Sequence, residues 1–82
     1  MRVSRTELER VIDYMVPGLS LLLRRASGGR ELRSLVDVYS AGEALWGSEA
    51  ARFFLRLVAR RLDELGLGEK YRVDTVLGRD KN

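Results

Sequence analysis

Apolar residues return at helical spacing along most of this chain, and the gaps between these runs carry turn residues rather than a change of period. Leu8, Val11, Ile12 and Met15 form a narrow stripe on a helix over 5–15, with Glu9, Arg10 and Asp13 facing away from it. Ser4 and Glu7 fit a capping box at its start: the serine oxygen accepts the amide of the fourth residue and the glutamate accepts the serine amide. Val3 is placed to staple onto Leu8. Proline disfavours helical geometry in the residue before it, so Val16-Pro17-Gly18 ends this helix or kinks it. The stripe resumes at Leu19, Leu22, Leu23 and Ala26, which predicts a second helix over 18–26 or a kinked continuation of the first. Arg24 and Arg25 fall in its last turn, where the helix dipole favours cations. After the turn signal Ser27-Gly28-Gly29-Arg30, the residues Leu32, Leu35, Val36 and Tyr39 share one face of a third helix over 30–39.

The longest run comes next. Ser40 and Glu43 fit a second capping box, and Gly66 and Gly68 supply a stop, which predicts a fourth helix over 41–65. Gly42 and Trp46 also prolong the stripe of the preceding helix, so the two could join; the cap at Ser40 favours a break there. Leu45 and Gly47 fit the long helix poorly. Glu49, Arg52, Arg56, Arg60 and Asp63 fall in one wet sector, whereas Trp46, Ala50, Ala51, Phe53, Phe54, Leu55, Leu57, Val58, Leu62 and Leu65 occupy an arc of about 200°. An arc that wide needs either a central place in the bundle or a second chain. Glu43 and Arg61 project near its middle, roughly 27 Å apart along one helix. Two antiparallel copies would pair them, twice by symmetry; otherwise they snorkel to water or bond Asp13 or Asp37.

Beyond Gly68 the pattern changes. Tyr71, Val73, Thr75 and Leu77 alternate with Arg72, Asp74 and Val76, a strand-like period without a second strand to pair with. Its partner would be another molecule or the same segment of a dimer mate; an irregular tail packed through Tyr71, or a short helix using Val73, Val76 and Leu77, are the alternatives. The expected architecture is all-α, a small bundle of about four helices within a single domain over 1–77, with 78–82 frayed.

With 82 residues, 45% hydrophobic and 33% charged, the chain has the composition of a folded protein, but one small enough that association would add useful stability. It has no cysteine and no histidine, which excludes disulfides, zinc sites and nucleophile–base chemistry built on those residues. Catalysis would need paired carboxylates in a cleft that shifts one pKa, and every acid here has an arginine within helical reach, so no enzyme activity, cofactor or small-molecule substrate is expected. Glu9 and Asp13 are spaced as two metal-binding carboxylates could be, yet Arg5 and Arg10 lie close enough to neutralise them and no metal is expected. No apolar run reaches the ~20 residues of a membrane span and no signal peptide opens the chain, so a cytoplasmic protein is expected.

Lysine occurs only at positions 70 and 81, so nearly all the basic residues are arginine, a bias resembling thermophile composition. The net charge of +3 is too small to decide for nucleic acid by itself. Its distribution matters more. Arg52, Arg56 and Arg60 make a one-sided row that could track a phosphate backbone, and Arg24, Arg25, Arg30 and Arg33 around the paired glycines could extend it or cradle a phosphate. The two short helices around Gly28 and Gly29 also have the length of a helix-turn-helix, with 71–77 as half a wing. Glu49 and Asp63 flank the row, and no aromatic residues are interleaved for base stacking.

Tyr39-Ser40-Ala41-Gly42-Glu43-Ala44-Leu45-Trp46-Gly47-Ser48-Glu49-Ala50-Ala51 resembles a helix of the archaeal PaREP1 and wider HEPN-type helical families, and the likeness extends over 39–62, roughly a third of the chain. The resemblance implies a helical, often dimeric protein acting on or near RNA. The arginine-to-histidine ribonuclease motif of active HEPN proteins has no counterpart, because histidine is absent. The expected function is a non-catalytic association module, a homodimer or a subunit of a larger complex, with Glu43, Trp46, Ala50, Phe54, Arg61, Tyr71 and Val73 as interface candidates. The alternative is a DNA- or RNA-binding accessory protein using the arginines.

Overall fold

The computed structural model describes residues 4–78, and its helices are α1 (Glu7–Met15), α2 (Leu19–Ala26), α3 (Leu35–Trp46), α4 (Ser48–Glu64) and the single turn α5 (Asp74–Leu77). The described residues contain no strand, so the architecture is the expected all-α bundle. None of these helices is long and apolar enough to cross a membrane. One core joins them: Leu8 and Ile12 of α1, Leu23 of α2, Leu32, Val38 of α3, Val58 and Leu62 of α4, and Val73 are all fully buried.

The start of α1 corrects the expected cap. Thr6, not Ser4, is the N-cap: its hydroxyl accepts the Glu9 amide at 3.1 Å, and the Glu9 carboxylate accepts the Thr6 amide at 2.8 Å. Glu7 is engaged elsewhere, by Lys70 Nζ at 2.7 Å and the Tyr71 hydroxyl at 2.9 Å. Val3 lies outside the described residues, and its staple onto Leu8 with it. Glu9, expected to face solvent, is 0% exposed, and Asp13 is half-buried, accepting the Ser20 amide at 2.9 Å, the Ser20 hydroxyl at 2.7 Å and Arg5 Nε at 2.8 Å. After Pro17, Gly18 takes a left-handed conformation and α2 starts one residue later, as a separate helix.

The third helix starts later than expected. Residues 30–33 are not helical, because the Leu32 amide is held by Glu9 at 2.8 Å while the Leu32 carbonyl accepts the Thr6 hydroxyl at 2.7 Å. The helix can begin only past that anchor, where Ser34 and Asp37 form its capping box. It then runs straight through Ser40, which caps nothing, to Trp46. The break between the third and fourth helices sits at Gly47, whose φ of 91° favours glycine. α4 is therefore 17 residues long, not the expected rod over 41–65. α3 folds back along α4 at close range, and Gly42 permits it: a Cβ there would stand 3.2 Å from the Ala51 Cβ.

α4 closes with the amide of Leu67 donating to the Leu62 carbonyl at 2.8 Å and that of Gly66 to the Asp63 carbonyl at 3.1 Å, a Schellman ending. The strand-like alternation over 71–77 builds no strand; of the alternatives the segment takes the short helix, as turns followed by α5. Val73, Val76 and Leu77 follow the helical spacing of three and four and pack on the core, and this burial outweighs the two-residue alternation. Of the expected frayed tail only Gly78 is described, closing α5 in a left-handed conformation; 79–82 lie outside the described residues.

Candidate functional site

Ala51, Val58, Ala59 and Leu62 are the buried side of α4, which leaves much of its apolar arc uncovered. Ala50, Phe53 and Leu57 follow one another at helical spacing and are all exposed, Phe53 at 67%. Phe54 lies beside them, half-buried, and Trp46 at the end of α3 packs edge-on against its ring, centroids 5.5 Å apart, while itself 42% exposed. These side chains make a continuous apolar strip from the α3–α4 corner toward the C-terminal half of α4. Along one flank run Glu49, Arg52, Arg56 and Arg60, all exposed. The other flank ends in Arg61, whose guanidinium carbon lies 4.8 Å above the Tyr14 ring.

The antiparallel Glu43–Arg61 pair, one of the alternatives for these two charges, loses its geometric basis. The two residues belong to different helices, so their separation is not that of one rod; Glu43 is exposed on α3, while Arg61 pairs with Glu64 at 3.2 Å and with neither Asp13 nor Asp37. Trp46, Ala50 and Phe54 do converge on one surface. Val73 does not, being fully buried, and Tyr71 is half-buried with its hydroxyl on Glu7. Burial, followed by that bond to the carboxylate, pushes the Tyr71 phenol up to about 12.

The arginines divide in two groups. Arg24 is engaged: Nε and Nη2 each donate to Glu9 at 2.8 Å, and Nη2 also donates to the Ser4 carbonyl at 2.6 Å. Arg33 pairs with Glu31, which leaves Arg25 and Arg30 exposed without a charge partner among the described residues. Gly28 and Gly29 do not lead into a helix, since 30–33 intervene, so the alternative of a phosphate cradle at that turn is not built and the structural turn stands. The same segment makes the link between α2 and α3 too long for a helix-turn-helix, and no wing strand exists among the described residues. Arg52, Arg56 and Arg60, by contrast, are exposed as expected and form no ion pair among the described residues.

The buried Glu9 was missed because its charge reads as surface, although Thr6-x-x-Glu9 fits a capping box as well as Ser4-x-x-Glu7 does. Burial raises the Glu9 carboxyl, but the donors Arg24, Leu32 N–H and Thr6 N–H outweigh it and hold the group below its ordinary value. Glu9 and Asp13 are thus both taken up by protein donors, and neither is arranged as half of a metal site. Comparison with family models, curated proteins and solved structures finds no match to this chain.

Proposed function

We propose that this chain is a non-catalytic helical association module that forms a homodimer through the Ala50–Phe53–Leu57 strip of α4. The observation that carries this reading is Phe53, two-thirds exposed in the middle of the longest helix with apolar neighbours on either side. Moving such a side chain from water into a dry interface contributes about 1.5–3 kcal/mol, and a two-fold axis counts every contact twice. In an antiparallel pair like flanks face each other, so Glu49 of one copy meets Arg60 of the next when the axis passes near Phe54 and Leu55, while Arg52 of each copy faces Arg56 of the other, and the apolar strip rather than the flank supplies the attraction. The likeness of 39–62 to the often dimeric PaREP1 and HEPN-type families supports the same direction.

Molar mass in solution by light scattering tests it. The expected value is twice the 9.3 kDa of the chain, nearly insensitive to salt, with Phe53→Gln returning it to that of one copy. Glu49→Arg and Arg60→Glu should each loosen the dimer and together restore it. A second reading rests on the row Arg52, Arg56 and Arg60, exposed and without an ion pair among the described residues, which suits a nucleic-acid backbone. It requires binding to a labelled RNA or DNA oligonucleotide that weakens steeply with salt and disappears when the three are changed to alanine.

A further inference from the structure

Below the strip, an open cleft of about 690 Å³ lies between the outer face of α1 and the end of α4, within the roughly 300–1,000 Å³ range of small-molecule sites. Val11, Leu65 and Leu67 supply its apolar lining, and the exposed ring of Tyr14 stands among them. Its charge is unbalanced. Arg5 and Glu7 at the rim are engaged, the first by Asp13 and the second by Lys70 and Tyr71. Arg10 makes no ion pair among the described residues, and Arg61 has only the solvent-exposed contact with Glu64, a kind that contributes little. Arg61 Nε is moreover buried and donates to no acceptor among the described residues. A buried donor in that condition is uncommon in a folded protein. The guanidinium carbon lies 4.8 Å from the centre of the Tyr14 ring and Nη1 donates to Glu64, which leaves Nη2 as the donor that can meet an incoming acceptor.

We infer that this cleft binds a small aromatic carboxylate, the carboxylate held between Arg10 and Arg61 and the ring against Tyr14, Val11 and the leucines. An anion without an apolar body would forgo the lining, and an uncharged ring would leave both cations unmatched; the class of ligand follows from needing both. The inference does not rest on the dimer: Arg10, Val11 and Tyr14 belong to α1, and Arg61 and Leu65 lie at the far end of α4, beyond Ala50, Phe53 and Leu57.

Titration of the full chain with 1-naphthylacetate, followed by amide chemical shifts in heteronuclear NMR, tests the site. Shifts should concentrate at Val11, Tyr14, Leu65 and Leu67, with a Kd of about 1 mM or tighter. The uncharged 1-naphthaleneacetamide and inorganic phosphate should each bind at least about tenfold more weakly. Arg10→Gln, an exposed change that leaves the fold intact, should weaken naphthylacetate several-fold, Arg61→Gln should do so more, and Phe53→Gln should leave it unchanged. Equal binding of the amide or of phosphate, shifts spread along α4 instead, or indifference to both arginine changes would overturn the inference.

Discussion

Arg24 on α2 closes on Glu9 of α1 with two parallel N–H donors, Nε to one carboxylate oxygen and Nη2 to the other, each at 2.8 Å. The same carboxylate accepts the amides of Thr6 and Leu32, so one side chain ties together the start of α1, the end of α2 and the link into α3. Removing one member of such a buried pair leaves the other without its counter-charge. Glu9→Gln should destabilise the chain by about 3 kcal/mol, measured by urea unfolding at one fixed protein concentration. A loss below about 1 kcal/mol would show that the three segments hold together without it.

The network sets an acid limit. Glu9 is held below its ordinary value, where donation by Arg24 and two backbone amides outweighs burial, and Glu7 is lowered by its bonds to Lys70 and then Tyr71. A carboxylate whose folded pKa lies below its unfolded one stabilises fully above the unfolded value, and that stabilisation is lost as the pH falls through the folded value. Thermal midpoints should therefore be level near neutrality and fall below about pH 4.5. In Glu9→Gln the acid decline should be shallower; parallel declines for the two proteins would refute the assignment.

These two residues also show what local pattern alone could decide. Ser4 with Glu7 and Thr6 with Glu9 are equally good capping boxes on paper. The choice is made by partners far along the chain: Lys70 and Tyr71 take Glu7, and Arg24 and Leu32 take Glu9. Ser34 caps α3 for the same kind of reason, since Leu32 is pinned just before it, and at Ser40 nothing interrupts the helix. The exposed arginine row and the excess apolar arc of α4 were readable because helical spacing alone creates them. The misfit of Leu45 and Gly47 already marked the true corner, but the glycine outranks the serine only once α3 and α4 are seen to fold against each other. The cleft between α1 and α4 joins residues far apart along the chain, Tyr14 with Arg61 among them, and left no local trace.

Close packing at Gly42 is testable. Its added Cβ would meet the Ala51 Cβ at 3.2 Å and the Trp46 ring at 3.4 Å. Gly42→Val should destabilise by about 1–3 kcal/mol, and Ala51→Gly in the same chain should recover part of that loss. Strict additivity of the two changes in a double-mutant cycle would count against a direct contact.

The apolar strip separates association from folding. Phe53 is largely exposed, so Phe53→Gln should change the stability of a single copy by no more than about 0.5 kcal/mol while lowering the molar mass of the assembly. Unfolding midpoints measured across a dilution series distinguish the two effects. Wild type should show concentration dependence and the variant none.

Gly47 is the whole joint between α3 and α4, and a joint of one residue has no slack. Were its backbone to relax into the geometry of its neighbours, the two helices would merge into a rod of about thirty residues, roughly 45 Å long. Val58 and Leu62 would then swing off the body and stand in water, where only the matching arm of another molecule could shelter them. The two dihedrals of Gly47 thus hold the closed bundle apart from an exchanged pair, and the glycine that lets the corner form is also the hinge through which it could open.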